Sequence, residues 1–217
     1  MPNPTFYNLP PEKRELITTV AIDEFYEKGY EKTSIAKIID KAKIPRGSFY
    51  QYFEDKNDLY RYLIIEVIGA RKHQYSAHLS NLKELSFFDY IRHLFLSGIQ
   101  FYRDYPKLAS IAIDFMSIRD KELRIIILGE SQKKADDYFI QYINERKDDG
   151  EIVNSLDTST LVYFIHSMNQ TLANFFLDHG KTFEDDHLVQ QVNNMISILE
   201  NGIKPLEGEN IGKNEEI

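Results

Sequence analysis

Between Pro45 and Phe53 the chain sets Arg46, Gly47, Ser48, Tyr50, Gln51 and Tyr52 around two apolar side chains, Phe49 and Phe53, at an i, i+4 spacing. That spacing marks one narrow buried stripe on a short helix. A short helix needs apolar area to stay folded, so one that turns mostly Arg, Ser, Gln and Tyr outward is using that face on a partner. The chemistry is specific. A guanidinium pairs bidentately with the O6 and N7 of guanine in a DNA major groove. Gln and Ser hydrogen-bond to base edges directly or through water, and a glycine lets backbone come close to a ligand.

The elements that must hold this helix lie on either side. Thr33 reads as the N-cap of a preceding helix, its hydroxyl accepting from a first-turn N–H. Ile35, Ile38, Ile39 and Ala42 recur on one face, Lys37, Lys41 and Lys43 fall elsewhere, and Ile44 is a buried hinge. Pro45 suits the first position of the second helix, where its missing N–H costs nothing. Two short helices around a tight turn, with the second one spared from packing, form a helix–turn–helix whose second helix enters the major groove. Upstream, Pro10-Pro11 with Glu12 opens a roofing helix with Leu16, Val20, Ala21 and Phe25 buried and Gly29 as its C′ residue. The three helices share a core of Val20, Phe25, Ile35, Ile38, Ile39, Ile44, Phe49 and Phe53. Residues 1–9 lack periodicity and read as loose, with Phe6, Tyr7 and Leu9 available for local packing.

With Thr33, Ile35-Ala36, Ala42, Ile44, Gly47, Tyr50, Tyr52-Phe53, Lys56 and Leu59 in this order and spacing, the segment Ile17 to Leu63 resembles the DNA-binding domain of the TetR (tetracycline-repressor) family of bacterial regulators. Two positions depart from the family pattern: Lys43 stands where the turn usually has Gly, and Pro45 where it has Ser or Thr. A left-handed backbone at Lys43 would cost about 1 kcal/mol. The resemblance implies an all-α protein, a three-helix head over residues 1–54 and a helical ligand-binding and dimerisation domain over 55–204. It implies that Thr33 and the adjoining Ser34 lie against phosphate, and that Tyr50 and Tyr52 touch sugar-phosphate or thymine methyl groups. Tyr52 is equally readable as partly core. Arg46 is the foremost base reader, with a phosphate contact as the alternative. Gly47 serves close approach to DNA or helix packing, and Ser48 and Gln51 read bases, bridge by water or are simply exposed. Lys56 reads as a phosphate clamp.

Composition sets the outer limits. The 217 residues include no Cys, which excludes disulfides, thiol catalysis and Cys-based zinc sites. No run reaches the apolar length of a membrane span and no signal peptide is evident, so a cytoplasmic protein is expected. Net charge is −8, but its distribution is uneven: residues 28–56 hold 7 Lys and Arg against 4 Asp and Glu. The one relatively basic stretch therefore coincides with the reading helix, as phosphate neutralisation requires. There is no Gly-rich phosphate loop, HExxH or nucleophile elbow, and His73 and His78 are i, i+5, off a common helix face. An all-helical small-molecule or metal-dependent enzyme is the second reading, and a non-DNA adaptor on the same scaffold the third; no cofactor or metal is called for.

Beyond the head, Asp55 to Asp58 begins a long helix carrying Leu59, Tyr62, Leu63, Ile65, Val67 and Ala70, rigid enough to transmit rotation. Ser86 with Asp89 forms a capping box for a helix to Asp104, and Tyr105-Pro106 starts the next, to about Ser117. One long helix is expected from Asp120 to Lys147, then one capped by Asp157 or Ser155, then one capped by Thr182 with Asp185. The last two carry more apolar residues than one core stripe needs; either they only seal their own domain, or they form a homodimer through a four-helix bundle, which the resemblance also implies. Residues 205–217 read as a disordered tail. A small-molecule effector would meet side chains such as His93, Phe101, Tyr102, Phe115, Tyr138, Tyr142, His166 and Asn169, although core packing explains each as well; His166 in particular reads as a hydrogen-bonded core residue. The partners expected are thus a double-stranded DNA operator, an effector and a second copy of the chain. The expected outcome is repression of transcription, relieved when the effector binds.

Overall fold

The computed structural model describes residues 1–76, 85–179 and 185–203, and all regular structure among them is helical. The helices are α1 (Pro4–Tyr7), α2 (Pro11–Lys32), α3 (Ile35–Ala42), α4 (Arg46–Tyr52), α5 (Lys56–Tyr62), a π-helical segment (Leu63–Ile68), α6 (Gly69–Ser76), α7 (Phe87–Asp104), α8 (Pro106–Ser117), α9 (Lys121–Leu128), α10 (Glu130–Asp148), α11 (Thr158–His179) and α12 (Asp185–Ile203). The chain forms two compact units, Met1–His78 with Gly98–Gln132 and Leu79–Ser97 with Lys133–Ile217.

In the first unit, α2 presents Ile17, Ala21, Glu24 and Phe25 inward. Leu16, expected in that stripe, is exposed and Val20 is half-buried, because the face centres one residue later than the apolar pattern suggests. Gly29 interrupts the helix with φ +67°, and the chain resumes one more turn to Lys32 rather than ending there. Tyr60, fully buried, joins the head to α8: its ring lies 4.8 Å from Phe25, 4.9 Å from Tyr30 and 6.1 Å from Phe115. Asp114 of α8 accepts the Tyr30 amide at 3.3 Å, and Lys107 pairs with Asp23 at 2.6 Å.

Three expectations about element limits are corrected. Residues 1–9 are not loose: α1 forms there, and Phe6 is completely buried against Tyr52, Phe53 and Tyr62. The helix after α4 is not uniform, since six residues of π-helix, a form concentrated at functional places, separate α5 from α6. The helix expected from Asp120 to Lys147 is broken at Gly129, whose φ of +54° ends α9.

In the second unit, Tyr142 packs 4.8 Å from Tyr90 and 6.2 Å from Phe87. Half of the expected capping box forms: Asp89 N–H donates to Ser86 Oγ at 3.1 Å, while the Asp89 carboxylate takes the Ser86 hydroxyl at 2.7 Å rather than the Ser86 backbone N–H. Asp157, rather than Ser155, caps α11, accepting the Thr160 amide at 2.7 Å. Inward residues of α11 are Leu161, Ile165, Met168 and Leu172, and of α12 Leu188, Val192, Leu199 and Ile203. Thr182 and residues 205–217 lie outside the described residues.

Candidate nucleic-acid interface

α3 and α4 are joined by Lys43, Ile44 and Pro45. Lys43 is the one non-glycine residue with positive φ among the described residues (φ 51°, ψ 46°). Its amide donates to Asp40 O at 3.2 Å, and the Ile44 amide to Ile39 O at 3.2 Å. These two bonds close α3 and offset the cost of a left-handed lysine. Ile44 is buried below the turn, as its apolar character requires. Pro45 sits at the N-cap position with extended backbone, one residue before the place expected, so α4 begins at Arg46.

α4 divides as its residue types demand. Phe49 and Tyr52 are buried, with Phe53 just beyond, while Arg46, Gly47, Tyr50 and Gln51 are exposed and Ser48 is half-buried. Tyr52 is thus core on this geometry. A Cβ built on Gly47 would meet nothing within 4 Å, so packing against α3 does not explain the glycine. Lys37 and Lys43 are exposed beside this face. Neither they nor Arg46 makes an ion pair among the described residues. The face therefore offers free cations, a forked donor, an amide, a phenol and an uncovered backbone on one short helix.

Thr33 and Lys56 stand differently from their expected places. Thr33 is not the N-cap of α3; Ser34 occupies that position, half-buried and without a side-chain capping bond. Thr33 is buried, its hydroxyl donating to Gly29 O at 2.7 Å and approaching Glu24 O at 3.4 Å. The break at Gly29 leaves carbonyls without helical partners, and Thr33 satisfies one of them. Lys56 is half-buried, its ammonium donating to Tyr30 O at 2.9 Å and Glu31 O at 3.3 Å, 4.4 Å above the Tyr30 ring. Both side chains lock the turn that leads into α3. On the inner side, Lys41 donates to the buried Glu24 carboxylate at 3.0 Å, which raises the Lys41 pKa above the usual lysine range.

The eight side chains named for an effector are divided between the units. Phe101, Tyr102 and Phe115 are buried in the first. In the second, Tyr142 is buried, Asn169 half-buried, and His93, Tyr138 and His166 exposed. His166 is therefore not a core residue; its ring stacks on Phe139 at a centroid distance of 6.3 Å. Burial raises the Tyr142 pKa above its ordinary value, and the hydroxyl is buried without a hydrogen-bond partner among the described residues. Missed by the sequence reading was the contribution of α1, whose Asn3 and Thr5 bond to the last carbonyls of α4.

Comparison with known proteins agrees with this geometry. Residues 17–63 match the model for bacterial regulatory proteins of the tetR family, and residues 85–204 match the tetracyclin repressor-like C-terminal domain. The chain belongs to the TetR family. A TetR family transcriptional regulator from Chloroflexus aurantiacus is 30% identical, with a TM-score of 0.72, 95% of this chain and all of that one being covered. The probable acrEF/envCD operon repressor of Escherichia coli K12 is 25% identical over 156 residues, 70% of either chain. The transcriptional regulator FadR of Bacillus subtilis, in complex with stearoyl-CoA, shares the fold at TM-score 0.71 and 20% identity, over 87% of this chain and 98% of that one. TetR-family proteins are DNA-binding transcription regulators and not enzymes, so the enzyme reading falls away. Among the described residues no helix is long and apolar enough to cross a membrane.

Proposed function

We propose that this TetR-family regulator is a homodimeric repressor that reads a palindromic operator through α4 and leaves it when a small molecule binds the C-terminal domain. The observation that carries the reading is the division of α4: Phe49 and Tyr52 inside, Arg46, Gly47, Tyr50 and Gln51 outside and unengaged. Arg46 is the base reader, with Ser48, Gln51 and Tyr50 as its neighbours on the groove. Ser34 and Lys37 at the start of α3 and Lys43 in the turn meet flanking phosphates. Thr33 and Lys56 act chiefly by fixing the turn, and Lys56 retains one N–H for a phosphate.

Support for the dimer comes from charge. From Thr158 to Leu177 there is no Lys, Arg, Asp or Glu, nor from His187 to Leu199, in a chain that is 28% charged. The outward residues there are Ser, Thr, Asn, Gln and His166 around exposed Tyr163, Phe164, Val189 and Ile198. Depletion of charge with retained aromatics is the mark of an interface centre. A two-fold dimer through these helices brings two copies of α4 to one duplex, and a protein dimer reads half-sites about 34 Å, one helical turn, apart. Repression follows the E. coli relative's description. The effector acts by binding one conformation of the dimer better than the other, with the helix from Lys56 onward carrying the change.

Selection of sites from a random duplex pool, followed by sedimentation of the complex, tests the reading. It expects an enriched palindrome bound by two chains. Enrichment of a single asymmetric site bound by one chain would contradict it.

A further inference from the structure

We propose that residues 3–7 are a positioning strap for the DNA-reading helix, so that Asn3, Thr5 and Phe6 set operator affinity without touching DNA. The proposal rests on the reading that α4 meets the operator. The last turn of a helix leaves carbonyls without intrahelical partners. At the end of α4 these include Gln51 O and Tyr52 O, and the strap supplies donors to both. The Asn3 amide donates to Tyr52 O at 2.8 Å, Asn3 Nδ2 to Gln51 O at 3.2 Å, and Thr5 Oγ1 also to Gln51 O.

Phe6 drives the strap home. Its ring is fully buried, 4.8 Å from Phe53, 5.2 Å from Tyr62 and 6.1 Å from Tyr52. Next to it, the Tyr7 hydroxyl donates to Glu66, which lies inside the π-helical segment. Arg14 of α2 holds the Tyr7 carbonyl at 3.0 Å. One short segment therefore ties the end of the reading helix to the helix that leads away from the head. Gln51, whose carbonyl takes two of the bonds, is itself on the outward face. A change in the strap moves the pose of α4, and a displaced donor loses base readout long before it loses phosphate attraction.

Asn3 and Thr5 are exposed, so substituting them leaves the core intact. The test uses the full chain and an operator obtained by selection. Asn3→Ala/Thr5→Val, Thr5→Ser and, as reference, Arg46→Ala are titrated against operator and random duplex, with thermal unfolding of each. The double variant keeps the Asn3 backbone bond to Tyr52 O but loses both side-chain bonds to Gln51 O, and is expected to weaken operator binding by about tenfold. Random-duplex affinity stays within about twofold, Thr5→Ser, which keeps the hydroxyl donor, retains wild-type operator binding, and all variants are folded at the assay temperature. Unchanged operator affinity in the double variant, equal loss on both duplexes, or loss that follows the fraction unfolded would each overturn the strap. If Arg46→Ala also leaves operator binding unchanged, the reading of α4 itself has failed; if Arg46→Ala alone weakens it, only the strap has.

Discussion

The Glu24 carboxylate, almost wholly buried in α2, takes the Lys41 ammonium of α3 at 3.0 Å, and its second oxygen has no hydrogen-bond partner among the described residues. A buried carboxylate held on one side depends strongly on its cation. Lys41→Ala is expected to destabilise the protein, as measured by urea unfolding, because it leaves the Glu24 carboxylate buried without its cation. Adding Glu24→Leu removes the stranded charge and should recover most of that loss. A double variant no more stable than Lys41→Ala would show that the pair is not coupled.

Gly47 separates fold from function. Its Cβ position is empty, and glycine within a helix costs roughly 0.5–1 kcal/mol relative to alanine. Gly47→Ala should therefore raise the unfolding free energy by about that amount while weakening operator binding. A variant both more stable and unimpaired on DNA would remove Gly47 from the interface.

Lys56 contributes through Tyr30 O and Glu31 O before it contributes to DNA. Lys56→Ala should cost about 1 kcal/mol of stability and also lower affinity for every duplex to a similar extent. Loss confined to DNA binding, with stability unchanged, would reverse that order. Phe49→Ala, by contrast, empties a fully buried site and should cost about 3–5 kcal/mol.

Asp157 makes the cap of α11 pH-dependent. Hydrogen bonds from Ser159 and Thr160 hold its pKa down at about 2. A folded-state value below the unfolded one of about 3.9 means the charge stabilises above that range and stops doing so as pH falls toward 2. Wild type should be more stable than Asp157→Asn near neutral pH, and the gap should close between about pH 4 and pH 2. A gap independent of pH would assign the effect to the amide's fit rather than to charge.

Much of this was legible in the residues because the signals were local. Ser86 with Asp89, Asp157, Tyr105-Pro106 and the Phe49/Phe53 spacing all act within one or two turns, and the helices begin and end within a residue of where they indicate. What escaped depended on contacts distant in sequence. Phe6 finds Tyr52 and Phe53 more than forty positions away. Thr33 turns inward because Gly29 breaks α2 and leaves a carbonyl to be met. Ile17 replaces Leu16 in the stripe because α2 must face α8 as well as α3. Gly129 falls inside the helix expected from Asp120 to Lys147, and its positive φ ends α9 there. The effector residues were the least legible, since aromatic side chains on helices satisfy core packing and ligand contact alike.

The most direct measurement is the ratio of operator to random-duplex affinity, at one fixed salt concentration, for wild type and Arg46→Ala. If α4 reads bases through Arg46, the variant loses about 1–3 kcal/mol on the operator and far less on random duplex, so the ratio falls. An unchanged ratio, with both affinities reduced together, would contradict base reading by Arg46 and leave it only a phosphate contact.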